Sequence, residues 1–372
     1  MARNNKSRAE RNKTVLVAMS GGVDSSLAAA LLKRKGYRVI GATMRMAPSG
    51  ASGGLRRGRG ARRPLDGIKE ARRSAAALGI PHHVFDVRKE FKKKVIDYFC
   101  GEYARGLTPN PCVVCNQKIK FGLFLKKASE IGARYIATGH YARKGYDRTS
   151  GRYFIREGKD KKKDQSYFLF NVSQRALARS LFPLGDITKD KSGRLAARLG
   201  LAGHGGGDSQ EICFIDGPYA GYVSEKGGAS ALEGDIVTSD GAVIGRHKGI
   251  HHYTVGQRKG LGIAYKEPLY VIAIDKKRNA LTVGVKKDVM KKSMTVRDVS
   301  WQAAAAKAGR PIRVKAKIRY GQKKADALVE KMTGGVKLTF RRAQEAPTPG
   351  QAAVFYKNDA VLGGGWIDRV LK

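Results

Sequence analysis

Residues 14–26 read TVLVAMSGGVDSS, and this stretch decides the fold. Val15 to Ala18 is a short run of small and β-branched apolar residues, the pattern of a buried strand. The run breaks at Ser20-Gly21-Gly22 and passes into a helical pattern from Ser25 to Lys35. Adjacent glycines permit a sharp turn and a close approach of backbone to a ligand. Ser20, Asp24, Ser25 and Ser26 add hydroxyls and a carboxylate able to cap the helix. Backbone N–H groups at such a turn point at an anion. The stretch reads as a phosphate cradle.

Two other phosphate loops are excluded. The kinase and GTPase loop needs Gly-Lys-Ser/Thr, and Gly158-Lys159 is followed by Asp160. No G-x-G-x-x-G follows a predicted strand. The stretch instead resembles the SGGxDS pyrophosphatase loop of enzymes that cleave ATP between its α- and β-phosphates. Those enzymes adenylate a carbonyl-type oxygen and release pyrophosphate.

Working outward, Tyr37–Thr43 and His82–Val87 read as strands, and Ile68–Leu78, Glu90–Arg105 and Asn116–Ile131 as helices. Tyr135–Thr138 is a further buried strand running into Gly139-His140-Tyr141. The alternation predicts an α/β doubly wound parallel sheet, in which ligands bind at the carboxyl ends of the strands. Both Ser20–Ser26 and Gly139-His140 fall there. Between them Arg45–Pro64 is rich in glycine and arginine and can hardly pack a core; it is expected to be either a segment mobile until RNA or ATP orders it or a disordered surface insertion.

After residue 208 the texture changes. Short alternating segments appear at Asp235–Thr238, Ala242–Ile244, Tyr270–Ile274 and Ala280–Val285. They continue at Arg313–Tyr320, Val336–Phe340, Gln351–Tyr356 and Val361–Gly364. Such spacing predicts a small β-rich central domain followed by a C-terminal β-barrel. The expected division is 14–207, 208–291 and 292–372.

Composition narrows the function. The 372 residues carry 73 Lys and Arg against 31 Asp and Glu, a formal charge of +42. Such an excess repels itself and points to a polyanionic partner, nucleic acid first, the alternative being a general basic bias in which Lys and Arg replace surface polar residues everywhere. No apolar run approaches the roughly 18–20 residues of a membrane span, and the charged first residues lack a following signal-peptide core. A cytoplasmic protein with no membrane partner is expected. Four cysteines, Cys100, Cys112, Cys115 and Cys213, are no secreted disulfide framework and suggest metal or redox chemistry.

Three of those thiols lie in informative surroundings. Residues 108–121 read TPNPCVVCNQKIKF, placing Cys115 at the predicted start of the 116–131 helix. The positive helix end, Lys118 and Lys120 are expected to lower its pKa. Cys213 lies in DSQEICFI, residues 208–215, and Cys100 follows apolar Tyr98-Phe99, a packing context. His251-His252, read as strand neighbours on opposite faces, suggest packing or surface roles.

Taken together, these residues resemble the tRNA-specific 2-thiouridylases over nearly the whole chain. The resemblance rests on SGGVDSS at 20–26, PNPCVVCNQKIKFG at 109–122, ATGHYAR at 137–143 and KDQSYFLF at 163–170. It continues through DSQEICFI at 208–215, GQRKGLGI at 256–263, TPGQAAVFY at 348–356 and LGGGWI at 362–367. It implies an ATP-pyrophosphatase domain, of the adenine nucleotide alpha-hydrolase-like type, and ATP-dependent 2-thiolation of the wobble uridine of tRNA.

The implied roles fall on particular residues. ATP, with Mg²⁺, would lie on Ala18, Met19, Ser20, Gly21, Gly22, Val23, Asp24 and Ser25, with Met44 and Gly139 toward the adenine. Cys213 would carry sulfur as a persulfide, delivered by a donor protein, and Cys115 would be the nucleophile that releases it. Asn110, Pro111 and Cys112 match positions that touch the target base. His140, Lys163, Asp164, Gln165, Arg319, Tyr320 and Gln351 match tRNA-contact positions.

Cys112 departs from the better-known pattern, which has Asp there. Cys112, Cys115 and Cys213 could instead hold three irons of a [4Fe–4S] cluster that delivers sulfide. Zinc is a weaker option, with Cys100 the obvious fourth donor. Outside the enzyme class, the rival is a tRNA-binding protein without catalysis, against which intact Asp24, Cys115 and Cys213 argue.

Overall fold

The computed structural model describes residues 13–46, 64–201, 212–215, 217–227, 232–303 and 310–371. Most of the Arg45–Pro64 loop, and the stretch before Ile212 in the Cys213 motif, lie outside the described residues. The chain forms two compact units.

The first unit draws on residues up to 94, on 112–216 and on 359–361. Its centre is a sheet of β1 (Thr14–Ala18), β2 (Arg38–Arg45), β3 (His82–Asp86) and β4 (Tyr135–Ala137), with a hairpin of β5 (Ala142–Asp147) and β6 (Arg152–Glu157) beyond and β7 (Ser180–Leu181) returning to the sheet. The order β3-β2-β1-β4-β7 is parallel throughout. Val15, Leu16 and Val17 are fully buried, as a central parallel strand covered on both faces must be. Helix Val23–Arg34 lays Leu27, Ala28 and Leu32 against Val15, Val17 and the Ala71–Ala75 face of helix Pro64–Ala77.

The chain leaves β1 toward β2 on one side, whereas β4 pairs with β1 on the other. That reversal opens a crevice outside the carboxyl ends of β1 and β4, where doubly wound folds bind ligands. The two segments that emerge into it are Met19–Gly22 and Thr138–Tyr141.

The second unit comprises 95–111, 217–358 and 362–372. Four strands, β8 (Gly234–Val237), β9 (Val243–His247), β10 (Tyr270–Asp275) and β11 (Ala280–Gly284), form a sheet around buried Ile236, Val271, Leu281 and Val283. Six more close a barrel: β12 (Met290–Trp301), β13 (Ile312–Lys317), β14 (Ala325–Met332), β15 (Gly335–Glu345), β16 (Ala352–Lys357) and β17 (Ala360–Val370). They run β12-β15-β14-β13-β16-β17, and β17 returns to β12. Closure removes exposed edges, and Val296, Val314, Val329, Leu338 and Phe355 fill the interior. The α/β sheet, β-rich middle and C-terminal barrel are the predicted fold class. His251 and His252 correct one detail: they lie in a short 3₁₀ turn with ring centroids 4.4 Å apart, not on a strand. His251 is buried, its Nε2 2.8 Å from Ser224 Oγ.

Candidate active site

The loop after β1 is braced by its own hydroxyls. Ser20 N–H donates to Ser25 Oγ at 3.1 Å, and Ser25 Oγ donates to Gly22 O at 2.9 Å. Met19 N–H reaches Ala42 O at 2.8 Å, prolonging the β1–β2 pairing into the loop. Gly21 adopts φ +78°, and a Cβ there would lie 2.3 Å from Gly67 O. Glycine is obligatory on both counts. The helix starts from Gly22 without a side-chain cap. Asp24, expected to cap it, is turned to other partners.

Asp24 accepts from Tyr141 Oη at 2.8 Å and from Lys189 Nζ at 2.6 Å. Lys189 also lies over the Tyr141 ring, 5.7 Å from its centroid. Its backbone N–H is held by Asp160 Oδ2 at 2.9 Å, at the first turn of a helix capped by Thr188. Tyr141 N–H donates to Gln165 Oε1 at 3.0 Å. A single polar chain therefore runs from Gln165 through Tyr141 and Asp24 to Lys189 and Asp160. Gly139 completes the contact between loops: a Cβ there would stand 3.0 Å from Asp24 C and Ser25 N. Tyr141 and Lys189 were not singled out from sequence. Tyr141 sat unread inside ATGHYAR, and Lys189 had only the helix-starting Thr188 beside it.

The matched RNA positions differ in what they are free to do. His140 is buried with Nδ1 2.8 Å from Thr138 Oγ1, and burial holds its pKa well below the usual histidine value. Asp164 is buried and accepts from Gly158 N, Ser166 N and Ser166 Oγ; burial pushes its pKa up against those hydrogen bonds. Lys163 is half-buried, and Tyr320 is exposed at 39%. Arg319 donates to Ala346 O at 2.8 Å and Thr348 Oγ1 at 3.0 Å. Gln351 Nε2 donates to Thr108 O and Pro109 O at 3.1 and 3.0 Å. Asn110 and Pro111 are buried, and Met44 is half-buried at the end of β2.

Cys112, Cys115 and Cys213 all belong to the first unit and stand within electrostatic reach of one another. Cys115 is buried, whereas Cys112 and Cys213 keep solvent-facing surface. Phe214 anchors the Cys213 turn edge-on against Phe91, centroids 5.6 Å apart. Cys100 is buried, as its apolar context predicts.

The expected low pKa of Cys115 is overturned. Burial pushes its thiol up to about 12, and the pull of Lys120 is the smaller influence. Burial likewise raises Cys112 and Cys213. The helix explains the error. It begins at Pro111, so Cys115 sits a turn inside it, ahead of a π-helical stretch over Asn116–Leu123. The helix-end field falls off within the first turn, and desolvation wins.

A pH dependence follows. Far below its pKa a thiol gains thiolate about tenfold per pH unit. Alkylation of Cys115 by iodoacetamide in the free protein, followed by peptide mass spectrometry, should accelerate by about that factor per unit from about pH 7 to about pH 9. A rate already on a plateau near neutrality would contradict the buried, protonated thiol.

Among the described residues no three His, Cys, Asp or Glu side chains are gathered to hold a metal ion.

Comparison with known proteins now bears on this geometry. Residues 13–217 match the family model described as tRNA methyl transferase HUP domain, 222–285 the tRNA methyl transferase PRC-barrel domain, and 291–367 the aminomethyltransferase beta-barrel domain. A protein of Clostridioides difficile named tRNA-specific 2-thiouridylase MnmA is 44% identical over 362 residues, 97% of this chain and 99% of its own. The chain belongs to the tRNA-specific 2-thiouridylase family. Similarly named proteins of Geobacter metallireducens and Heliobacterium modesticaldum are 45% and 47% identical, over 96% of this chain and 98% and 93% of theirs. Among the described residues of this 2-thiouridylase-family chain, no helix is long and apolar enough to cross a membrane.

Proposed function

We propose that this protein replaces O2 of the wobble uridine of tRNA with sulfur, using ATP, in the cytoplasm. The observation that carries the reading is the crevice: the SGGVDSS loop emerges from β1 beside Gly139–Tyr141 from β4, with a buried thiol and two exposed ones in the same unit.

ATP binds with its phosphates on the N–H groups of Ser20–Ser25 and its adenine toward Met44 and Gly139. The hard oxygen donors of Asp24, Ser20 and Ser25 suit Mg²⁺, which when bound supplies charge neutralisation on the leaving pyrophosphate. Uridine O2 attacks the α-phosphate, pyrophosphate leaves, and C2 acquires AMP as a leaving group. Lys189 offsets the charge on Asp24 until the nucleotide arrives.

Sulfur arrives on Cys213 as a persulfide from a donor protein. Cys115, after losing its proton, attacks the Cys213 Sγ; the S–S bond to the terminal sulfur breaks and hydrosulfide leaves. Hydrosulfide adds at C2 and AMP departs. The new Cys115–Cys213 disulfide then takes two electrons from a thiol reductant. Asn110, Pro111 and Cys112 receive the uridine, which must leave its stack to expose C2. Tyr320 and Lys163 offer surface to the RNA backbone.

The test is stoichiometric. Purified protein, ATP, tRNA and a persulfide donor should yield one AMP and one pyrophosphate for each 2-thiouridine. Tight tRNA binding with no nucleotide turnover would favour the non-catalytic reading instead. Anaerobic purification with iron and sulfide analysis checks the sulfur route: an iron-free protein that thiolates supports the persulfide, and activity confined to a four-iron form overturns it.

A further inference from the structure

The segment that leads into Cys112 is held by the barrel. Segment 95–111 belongs to the second unit, together with the barrel strands, whereas the residues from Cys112 onward belong to the first. Thr108 N–H donates to Pro349 O at 2.9 Å, and Gln351 Nε2 donates to the carbonyls of both Thr108 and Pro109. Three hydrogen bonds thus fix two consecutive residues immediately before Asn110. Tyr98, whose ring lies 6.1 Å from that of Trp366, also hydrogen-bonds to the Asn110 backbone.

The holding loop is itself clamped. Gly350 N–H donates to Ile367 O at 2.9 Å, and Ile367 N–H donates to Gln351 O at 2.8 Å. Arg319 ties Ala346 O, Thr348 Oγ1 and Val255 O together from behind. Gly350 has φ +90°, and a Cβ there would lie 2.9 Å from Thr108 O and 3.0 Å from Thr108 N. The loop and the Thr108 segment meet backbone to backbone, with no room for a side chain at Gly350.

We propose that Gln351 is a positioning residue for the target base, clamping Thr108-Pro109 to the barrel so that Asn110-Pro111 is presented in one conformation. The amide spends both donors on protein carbonyls, which leaves it poorly placed to grip RNA. The inference rests on the reading of Asn110–Cys112 as the base-contact segment. It gives the barrel a second task besides offering surface to RNA: within its own unit it sets the conformation of the segment that carries Asn110 and Pro111.

The experiment uses the full-length protein with Gln351→Ala and Gly350→Ala, the second of which removes no side chain that RNA could touch. In the absence of tRNA, hydrogen exchange of the peptide covering 107–110 should speed up in both variants: Gln351→Ala frees the Thr108 and Pro109 carbonyls and Gly350→Ala forces the loop off Thr108, and either change loosens the Thr108 N–H bond to Pro349 O. Single-turnover thiolation should fall about 10–100-fold, the cost of a misplacement near 1 Å, while tRNA affinity stays within about threefold. Melting temperatures establish that both variants fold; if Gly350→Ala does not, Gln351→Glu, which cannot donate to the two carbonyls, replaces it. Loss of tRNA affinity in Gln351→Ala with unchanged exchange would overturn the proposal and return Gln351 to direct RNA contact. If exchange rises in both variants yet neither they nor Asn110→Ala slow thiolation, the clamp exists and the base-site reading fails.

Discussion

Asp24→Ala is expected to abolish tRNA-dependent pyrophosphate release, by about 10²–10³-fold or more, the scale of losing a group that organises transition-state charge. The carboxylate accepts from both Tyr141 and Lys189, so its removal takes away a charge and the geometry it imposes together. Asp24→Asn separates the two. Its amide oxygen can still accept from Tyr141, but it cannot balance Lys189 or a cation. Radioactive pyrophosphate released from ATP measures both variants, and tRNA affinity, measured in parallel, should stay within about threefold because the RNA surface is untouched. If Asp24→Asn releases pyrophosphate like the wild type, the carboxylate is only a structural tie.

The second large effect is at the thiols. Cys115→Ser and Cys213→Ser should each stop 2-thiouridine formation while pyrophosphate release continues, since adenylation precedes sulfur transfer. Serine at 213 cannot carry a persulfide, and serine at 115 cannot expel hydrosulfide from one. Cys112→Asp should retain most activity, because in this route Cys112 only lines the base site. Iron is a poorer match for that oxygen than for thiolate, so a large loss at Cys112→Asp, with loss of bound iron, would transfer the chemistry to a cluster. Mass spectrometry of digested tRNA reads all three.

How much of this could be seen in the sequence depended on range. The parallel sheet was visible because its central strand is an unbroken apolar run and its loops carry glycine at fixed offsets. The β5–β6 hairpin was not, because ARKGYD and RYFIRE place charges along both strands. β12 and β14 were missed for a similar reason: alternate Lys, Arg, Asp and Glu on their outward faces dilute the apolar pattern. In the site, the loop glycines were legible as local requirements. The Asp24–Lys189 pair joins residues 165 apart, and no local pattern announces it. The Cys115 thiol was misjudged by a local error, a helix start set at Asn116 when Pro111, well suited to a first helical position, opens it.

The interleaving of the two units also governs how the molecule can be born. Gln351 and the Pro109 carbonyl it holds are 242 residues apart in the chain. At ribosomal speeds of about 5–20 residues per second, the nascent segment 95–111 waits roughly 12–48 s for its support to emerge. Val95–Pro111 is thus made long before the residues of its own unit that hold it, and the first unit likewise waits for residues 359–361. A ribosome that stalls after residue 216 but before the last barrel strands therefore leaves the cell a fragment that carries Ser20–Ser26 and all four cysteines but lacks Pro349 and Gln351, the residues that hold Thr108 and Pro109.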